Sequence, residues 1–360
     1  MRNVALLLLA LAFPGLALRL PAQADGIWPK FGGPPPGAGF SAGLEYRKSG
    51  LARGLLDFRA EAVVSTKVYT HGELHFILPH LWRDRLTAEF TTTFRRYPQE
   101  DFWGFGMDTL QDHRSDFLVE DIDQSASLAF APRRWLRIGA EGGVMRLNAG
   151  PGKDPKFPPV EQVFAGSQLP ALLDQPDYFH FGSFVEVDRR DRPSYPRAGG
   201  RYALRWTRYS DRQHGRFDFD RLELDLRQFV RVAQTRGTVA MRLNTVITAA
   251  GAGRQVPFFL QPTAGGANDV RGFHQYRFRD RNAMVLNLEY RRPALSFLDV
   301  VFFGDAGQVF RRASDLAVGR FRGSAGVGGR LVIRERVLVG LDAAWSPEGT
   351  RVWMRAAHTF

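Results

Sequence analysis

The chain has 360 residues, no cysteine, and 49 Lys+Arg against 37 Asp+Glu, for a formal charge of +12. Without thiols there are no thiolate metal sites and no cysteine nucleophile, and the composition fits passage through an oxidising compartment. Past residue 24 no apolar run approaches the ~20 residues of a spanning helix, so helical membrane spans are excluded.

Taken in chain order, the first element is a secretory leader. Arg2 gives a positive start, Val4 to Leu18 is apolar, and Ala22-Gln23-Ala24 is a small-x-small cleavage site. Pro14 and the shortness of the run argue against a membrane anchor. Residues 1–24 are therefore expected to be a signal peptide and residues 25–360 a barrel. Removing Arg2 and Arg19 with the leader takes the charge from +12 to +10. Nucleic acid is one partner for such charge, but a secreted protein seldom meets it. Anionic lipopolysaccharide outside and a polar lumen inside account for the arginines better.

Hydrophobicity then alternates with period two along most of the chain. The pattern runs through Leu86-Ala88-Phe90, Leu136-Ile138-Ala140, Tyr202-Leu204-Trp206, Met284-Leu286-Leu288-Tyr290 and Val337-Val339-Leu341. It is clearest from Arg221 to Arg227, where three leucines take one face and four charges the other. An apolar outer face and a charged inner face suit a barrel in lipid around a wet lumen. The sheet must close, because an open edge in hydrocarbon leaves backbone groups unpaired. Fifteen strands are predicted, at 40–48, 53–65, 66–79, 83–96, 115–131, 133–148, 178–189, 198–210, 217–232, 235–250, 281–293, 298–310, 321–333, 336–346 and 349–360. A further strand near Gly26 to Phe31 brings the total to about sixteen, matching the even counts of bacterial single-chain barrels. The fold class is all-β: a transmembrane antiparallel barrel.

Connections alternate in length. Short ones sit near Pro132-Arg133, Ala233 to Arg236, Ala294 to Ser296 and Arg334 to Arg336, with long ones at 149–177, 211–216, 251–281 and 311–320. Short periplasmic turns and long outer loops are the outer-membrane arrangement. The loop 149–177, with Pro151, Pro155, Pro158 and Pro159, is expected to be exposed outside. The 190–198 connection is longer than its neighbours on the short-turn side. The last strand ends at Phe360, in register with Val352, Met354 and Ala356, and resembles the C-terminal signal read by outer-membrane assembly machinery; His358 fits that signal poorly.

Loop 251–281 carries Val270-Arg271-Gly272-Phe273, preceded by Gly265-Gly266. The next strand holds Glu289, opposite in parity to Leu286 and Leu288 and so on the lumen face. The strand after holds Asp305 within Phe303-Gly304-Asp305-Ala306-Gly307; its shared parity with Val301 and Phe303 places it in the lumen too. An inward fold of the loop brings one guanidinium to two carboxylates, a bidentate grip that lysine reproduces poorly. Gly272 lets the backbone turn tightly, Phe273 packs on the lumen wall, and a wet lumen is expected to screen the charges. This constellation resembles the BamA/TamA-like superfamily of outer-membrane barrels, the bacterial surface antigens. Val270, Arg271, Gly272 and Phe273 match its loop motif, and Glu289 and Asp305 its strand acids. The stretch Asp188 to Gly199 resembles the family's D-x-R-D…P-x-x-G turn through Asp188, Arg190, Asp191, Pro196 and Gly199. Phe102-Trp103-Gly104-Phe105-Gly106 resembles an aromatic-glycine loop of some members.

Other clusters carry less. His71, Glu73 and His75 share one strand face, as a zinc site could, but a polar lumen face explains them and the spacing is not that of H-E-x-x-H. His180 and Ser183, three apart, fall on opposite faces, so no hydrolase pair forms. Neither catalysis, metal nor cofactor is expected. The resemblance implies insertion, assembly or export of other molecules, through a seam between the first and last strands that opens sideways. It also implies surrounding outer-membrane lipid and lipopolysaccharide, client proteins or a separately encoded periplasmic partner, and a monomeric barrel. Family members that handle clients carry POTRA domains before the barrel. Only some fifteen residues separate Ala24 from the first clear strand, so a barrel-only member is expected. The alternative function is a passive channel or structural barrel that keeps the arginine lock without clients.

Overall fold

A computed structural model describes residues 25–164, 169–333, 336–355 and 360; the predicted leader lies outside them. Eighteen strands run in chain order. They are β1 (Gly26–Phe31), β2 (Ser41–Gly50), β3 (Leu56–Ser65), β4 (Thr70–Leu81), β5 (Leu86–Phe102), β6 (Ser115–Arg133), β7 (Leu136–Pro151), β8 (Tyr178–Asp188) and β9 (Gly199–Asp211). They continue with β10 (Phe219–Val232), β11 (Gly237–Ala249), β12 (Thr263–Ala264), β13 (Phe278–Arg279), β14 (Asn282–Leu295), β15 (Leu298–Phe310), β16 (Arg322–Ile333), β17 (Arg336–Ser346) and β18 (Gly349–Arg355). Sixteen of them form one antiparallel sheet in sequence order from β1 to β18, and the two-residue strands β12 and β13 pair separately within the loop between β11 and β14. Every connection is to the next strand of the sheet, so an up-and-down barrel results, with its seam between β1 and β18.

The alternation in sequence becomes inside and outside. On β10, Leu222 is exposed on the outer wall while Asp225 and Arg227 turn inward and pair at 2.6 Å. Leu44, Leu74, Phe90, Ile122, Leu204, Leu288, Phe302 and Leu341 are likewise exposed, forming the apolar belt that a bilayer covers. The inner wall of the first half is laced by ion pairs between strands: Lys30 with Glu61, Arg59 with Glu73, His75 with Glu89, Arg95 with Asp121, Arg205 with Glu141. His71, Glu73 and His75 therefore point to separate partners. Among the described residues no group of three metal-ligating side chains converges.

The long connections do not simply project into solvent. Phe102, Phe117, Val160, Leu169, Phe217 and Phe258 belong to one buried apolar cluster, drawn from three connections and the strand ends beneath them. The loop 149–177 is thus only partly exposed, against expectation. Pro151, Lys153, Pro155 and Lys156 face solvent, but Val160, Leu169, Ala171 and Leu172 are buried. Their apolar area is removed from water by the neighbouring loops, which together dome the long-loop end. Heat-modifiable migration on gels and recovery in the outer-membrane fraction are expected for the mature protein; recovery as a soluble periplasmic species would contradict this architecture.

Candidate functional site

The loop between β11 and β14 folds into the lumen and presents Arg271 to the inner wall. Arg271 Nε and Nη2 donate to the two oxygens of Asp305, each at 2.7 Å, and Nη1 donates to Glu289 Oε1 at 2.6 Å. The Arg271 backbone N–H also donates to Asp305 at 3.2 Å. The guanidinium lies 3.4 Å from the Phe303 ring centroid, a cation–π stack that closes its remaining face. The side chains of Arg271, Glu289 and Asp305 are all 0% exposed. The expected screening by lumen water is therefore absent here: the loop itself expels solvent from the pair.

The flanking motif residues explain how the loop comes so close. Gly272 donates its N–H to Ser324 Oγ and accepts from Ser346 Oγ, at 3.1 and 2.8 Å. A Cβ on Gly272 would sit 2.5 Å from Ser324 Cβ and 2.6 Å from Ser346 Cβ. Its role is close approach to β16 and β17 rather than the tight turn expected. Gly307 does the same on β15, since a Cβ there would meet Val270 at 2.7 Å. Gly265 and Gly266 carry the positive φ values, 113° and 107°, that let the chain turn into the lumen. Val270 and Phe273 are buried with Met107, Phe278 and Val309. The aromatic-glycine stretch grips the loop's far side: Gly106 pairs with Arg279, and the tilted Trp103 and His274 rings lie 5.6 Å apart.

A second set of partners was not legible in the sequence. Asp342 on β17 lies 3.5 Å from Arg271 Nη1 and takes a two-point grip from Arg330 on β16, at 2.6 and 3.2 Å. Arg355 on β18 bonds both Asp342 and the loop carbonyl of Ala267. Trp353 Nε1, also on β18, donates to the Arg271 carbonyl at 2.6 Å. Arg291 holds the other Glu289 oxygen at 2.7 Å. One buried network thus ties the loop to β14, β15, β16, β17 and β18. Inward parity of Asp342 and Arg355 was the available signal, but no spacing rule marks them.

The short-turn end is also crossed. In the 190–198 connection, Arg190 grips Asp188 at 2.6 and 2.9 Å, and Asp191 accepts the N–H groups of Arg197 and Ala198 at 2.9 and 3.1 Å. Gly199 has φ 87°, and Pro196 is buried. This folded turn sends Tyr195 to a hydrogen bond with Asp299 on β15, both buried. Phe360 departs from expectation. Val352 is exposed on the outer face, whereas Phe360 is buried with Phe229 and Ala240, its ring 5.2 Å from the Arg291 guanidinium. It is off the outward register because Phe229 and Ala240 face inward and give its ring an apolar seat within the lumen; residues 356–359 lie outside the described residues.

Residues 173–334 match the Omp85 superfamily domain. The match covers just under half of this chain, which is an outer-membrane β-barrel. BamA from Haemophilus ducreyi, solved without POTRA domains 1–3, is similar in fold at TM-score 0.67 and 13% identity, over 92% of this chain and 69% of that one. CdiB from Escherichia coli is similar at TM-score 0.60 and 13% identity, over 93% and 62%. CdiB from Acinetobacter baumannii is similar at TM-score 0.54 and 12% identity, over 95% and 63%. The chain thus spans under two thirds of either CdiB. No curated protein sequence matches it.

Two outcomes follow from this site. Removing one member of a buried ion pair costs about 3–5 kcal/mol, and full burial puts Arg271→Ala within that range rather than below it. The strands should persist while proteolysis between Gly251 and Asp280 accelerates; Arg271→Lys should restore protection only in part. Clipping of the alanine variant at the wild-type rate would contradict the lock. Separately, burial and the nearby Arg351, Arg114 and Arg277 guanidinium groups lower the His274 pKa to about 4. Its contribution to docking is present above the ordinary histidine value of 6.5 and is lost as pH falls toward about 4. Burial raises the Asp269 carboxyl to about 6 and acts in the opposite sense, so the informative quantity is the difference between wild type and His274→Gln. That variant should lose less protection than wild type between pH 7 and pH 4; parallel pH profiles would refute the assignment.

Proposed function

We propose that this barrel acts in the insertion, assembly or export of other proteins at the outer membrane, with the arginine loop bracing a seam that opens sideways. The observation that carries the reading is the attachment of the loop to β18. Trp353 and Arg355 bond the loop backbone directly, so the same contacts that seat Arg271 hold the last strand. β1 is six residues long, against nineteen for β6, and short strands are the cheapest to part. Resemblance to BamA and CdiB supports the class of function, and clients or a periplasmic partner are part of the proposal.

The passive-channel reading asks for an open lumen. The buried loop, the dome and the Tyr195 contact across the short-turn end all speak against a standing pore. Depleting the protein should lower the outer-membrane or secreted level of at least one other protein, and Arg271→Ala should fail to restore it. In planar bilayers the wild type should conduct weakly, and the alanine variant more. Unchanged protein content on depletion, together with steady large conductance of the wild type, would replace this proposal with the channel.

A further inference from the structure

The short turns repeat a feature that the lock does not use. Trp82 is exposed on the turn between β4 and β5, and its ring lies 5.5 Å from Phe130. Phe130 shares the outward parity of exposed Leu128, so this aromatic pair is on the membrane side of the wall, at the edge of the apolar belt. Trp135 is exposed on the next such turn, with the Arg189 guanidinium 4.1 Å from its ring. Leu55, Leu295 and Phe297 are exposed on two others. Beside each stands arginine: Arg53 near Leu55, Arg83 and Arg85 around Trp82, Arg133 and Arg134 before Trp135, Arg292 before Leu295. All six are exposed. Among the described residues none of these six forms a salt bridge, and Asp84, the acid among them, bonds His80, at 3.0 Å.

An apolar ring beside an exposed guanidinium at the border of a lipid-facing wall is suited to one layer of a membrane. Aromatic side chains settle at the headgroup level, and arginine binds phosphate oxygens with its planar fork. We propose that the short-turn rim is a binding collar for anionic glycerophospholipids. The rings anchor among the glycerol and upper acyl groups, and the arginines hold the phosphodiesters of the leaflet that meets the turns. An acidic protein would satisfy the charge, but it would leave the outward rings at the belt's edge without a role. The collar needs only the outer-membrane location and is independent of any client.

The test uses the mature barrel reconstituted in vesicles of phosphatidylcholine, with or without an equal share of phosphatidylglycerol. Native mass spectrometry should find phosphatidylglycerol retained over phosphatidylcholine by about fivefold or more, the factor one arginine supplies at an anionic surface. The heat-modifiability midpoint should rise with phosphatidylglycerol. In the combined variant Arg83→Gln, Arg85→Gln, Arg133→Gln, Arg134→Gln, both effects should fall by at least half. The control Arg311→Gln, Arg312→Gln, on the long-loop rim, should keep them. Equal retention of the two lipids by the wild type overturns the proposal without reference to any variant. So does full retention by the turn variant, or displacement of the bound lipid by poly-glutamate with no preference among lipids.

Discussion

Everything inside this barrel depends on one guanidinium with no access to water. Arg271 has 0% side-chain exposure, so its charge is tolerable only because the carboxylates of Asp305, Glu289 and Asp342 and the face of Phe303 are arranged around it. A buried ion pair is weak evidence for stability, since desolvation offsets much of the attraction. What it supplies is a demanding geometry. The loop cannot sit a little higher or lower in the lumen without leaving a carboxylate unpaired, and that requirement fixes where Val270, Gly272 and Phe273 must lie. The small residues follow: Gly272 and Gly307 clear space for a backbone and for a valine, respectively.

The same constraint couples parts of the barrel that are otherwise independent. An up-and-down sheet transmits little between distant strands, because each touches only its neighbours. Here Asp342, Arg330 and Arg355 extend the charges from β14 to β18, and Trp353 ties the last strand to the arginine's own carbonyl. Loosening the loop therefore loosens a strand at the seam. At the other end, Tyr195 and Phe360 reach inward from a turn and a terminus. Segments of the chain itself thus enter the lumen: the arginine loop, the 190–198 turn and Phe360.

The barrel was legible because its physics is local. Alternation along Arg221 to Arg227 needs only a two-residue period and a lipid-water boundary, and parity alone assigned Glu289 and Asp305 to the lumen. The strand near Gly26 to Phe31 was readable despite Pro34, Pro35 and Pro36, since those prolines fall in the following connection. What was hidden is long-range. Whether lumen charges are wet depends on what fills the lumen, and nothing in the sequence of β14 or β15 states that a loop will dry them. Phe360 could not be placed, because its seat on Phe229 belongs to strands far away in sequence. The burial of Val160 and Leu169 likewise arises from Phe117, Phe217 and Phe258, contributed by other connections.

The central claim is that Arg271 and Asp305 act as one unit that seats the loop. A double-mutant cycle measures it, with protease protection of the segment between Gly251 and Asp280 as the readout. Arg271→Ala leaves Asp305 buried and unpaired, and Asp305→Ala leaves the guanidinium half satisfied. The double variant should then be clipped no faster than the worse of the two single variants. Multiplicative acceleration, with each substitution contributing in full, would show that the two side chains act separately and that the lock does not hold the loop.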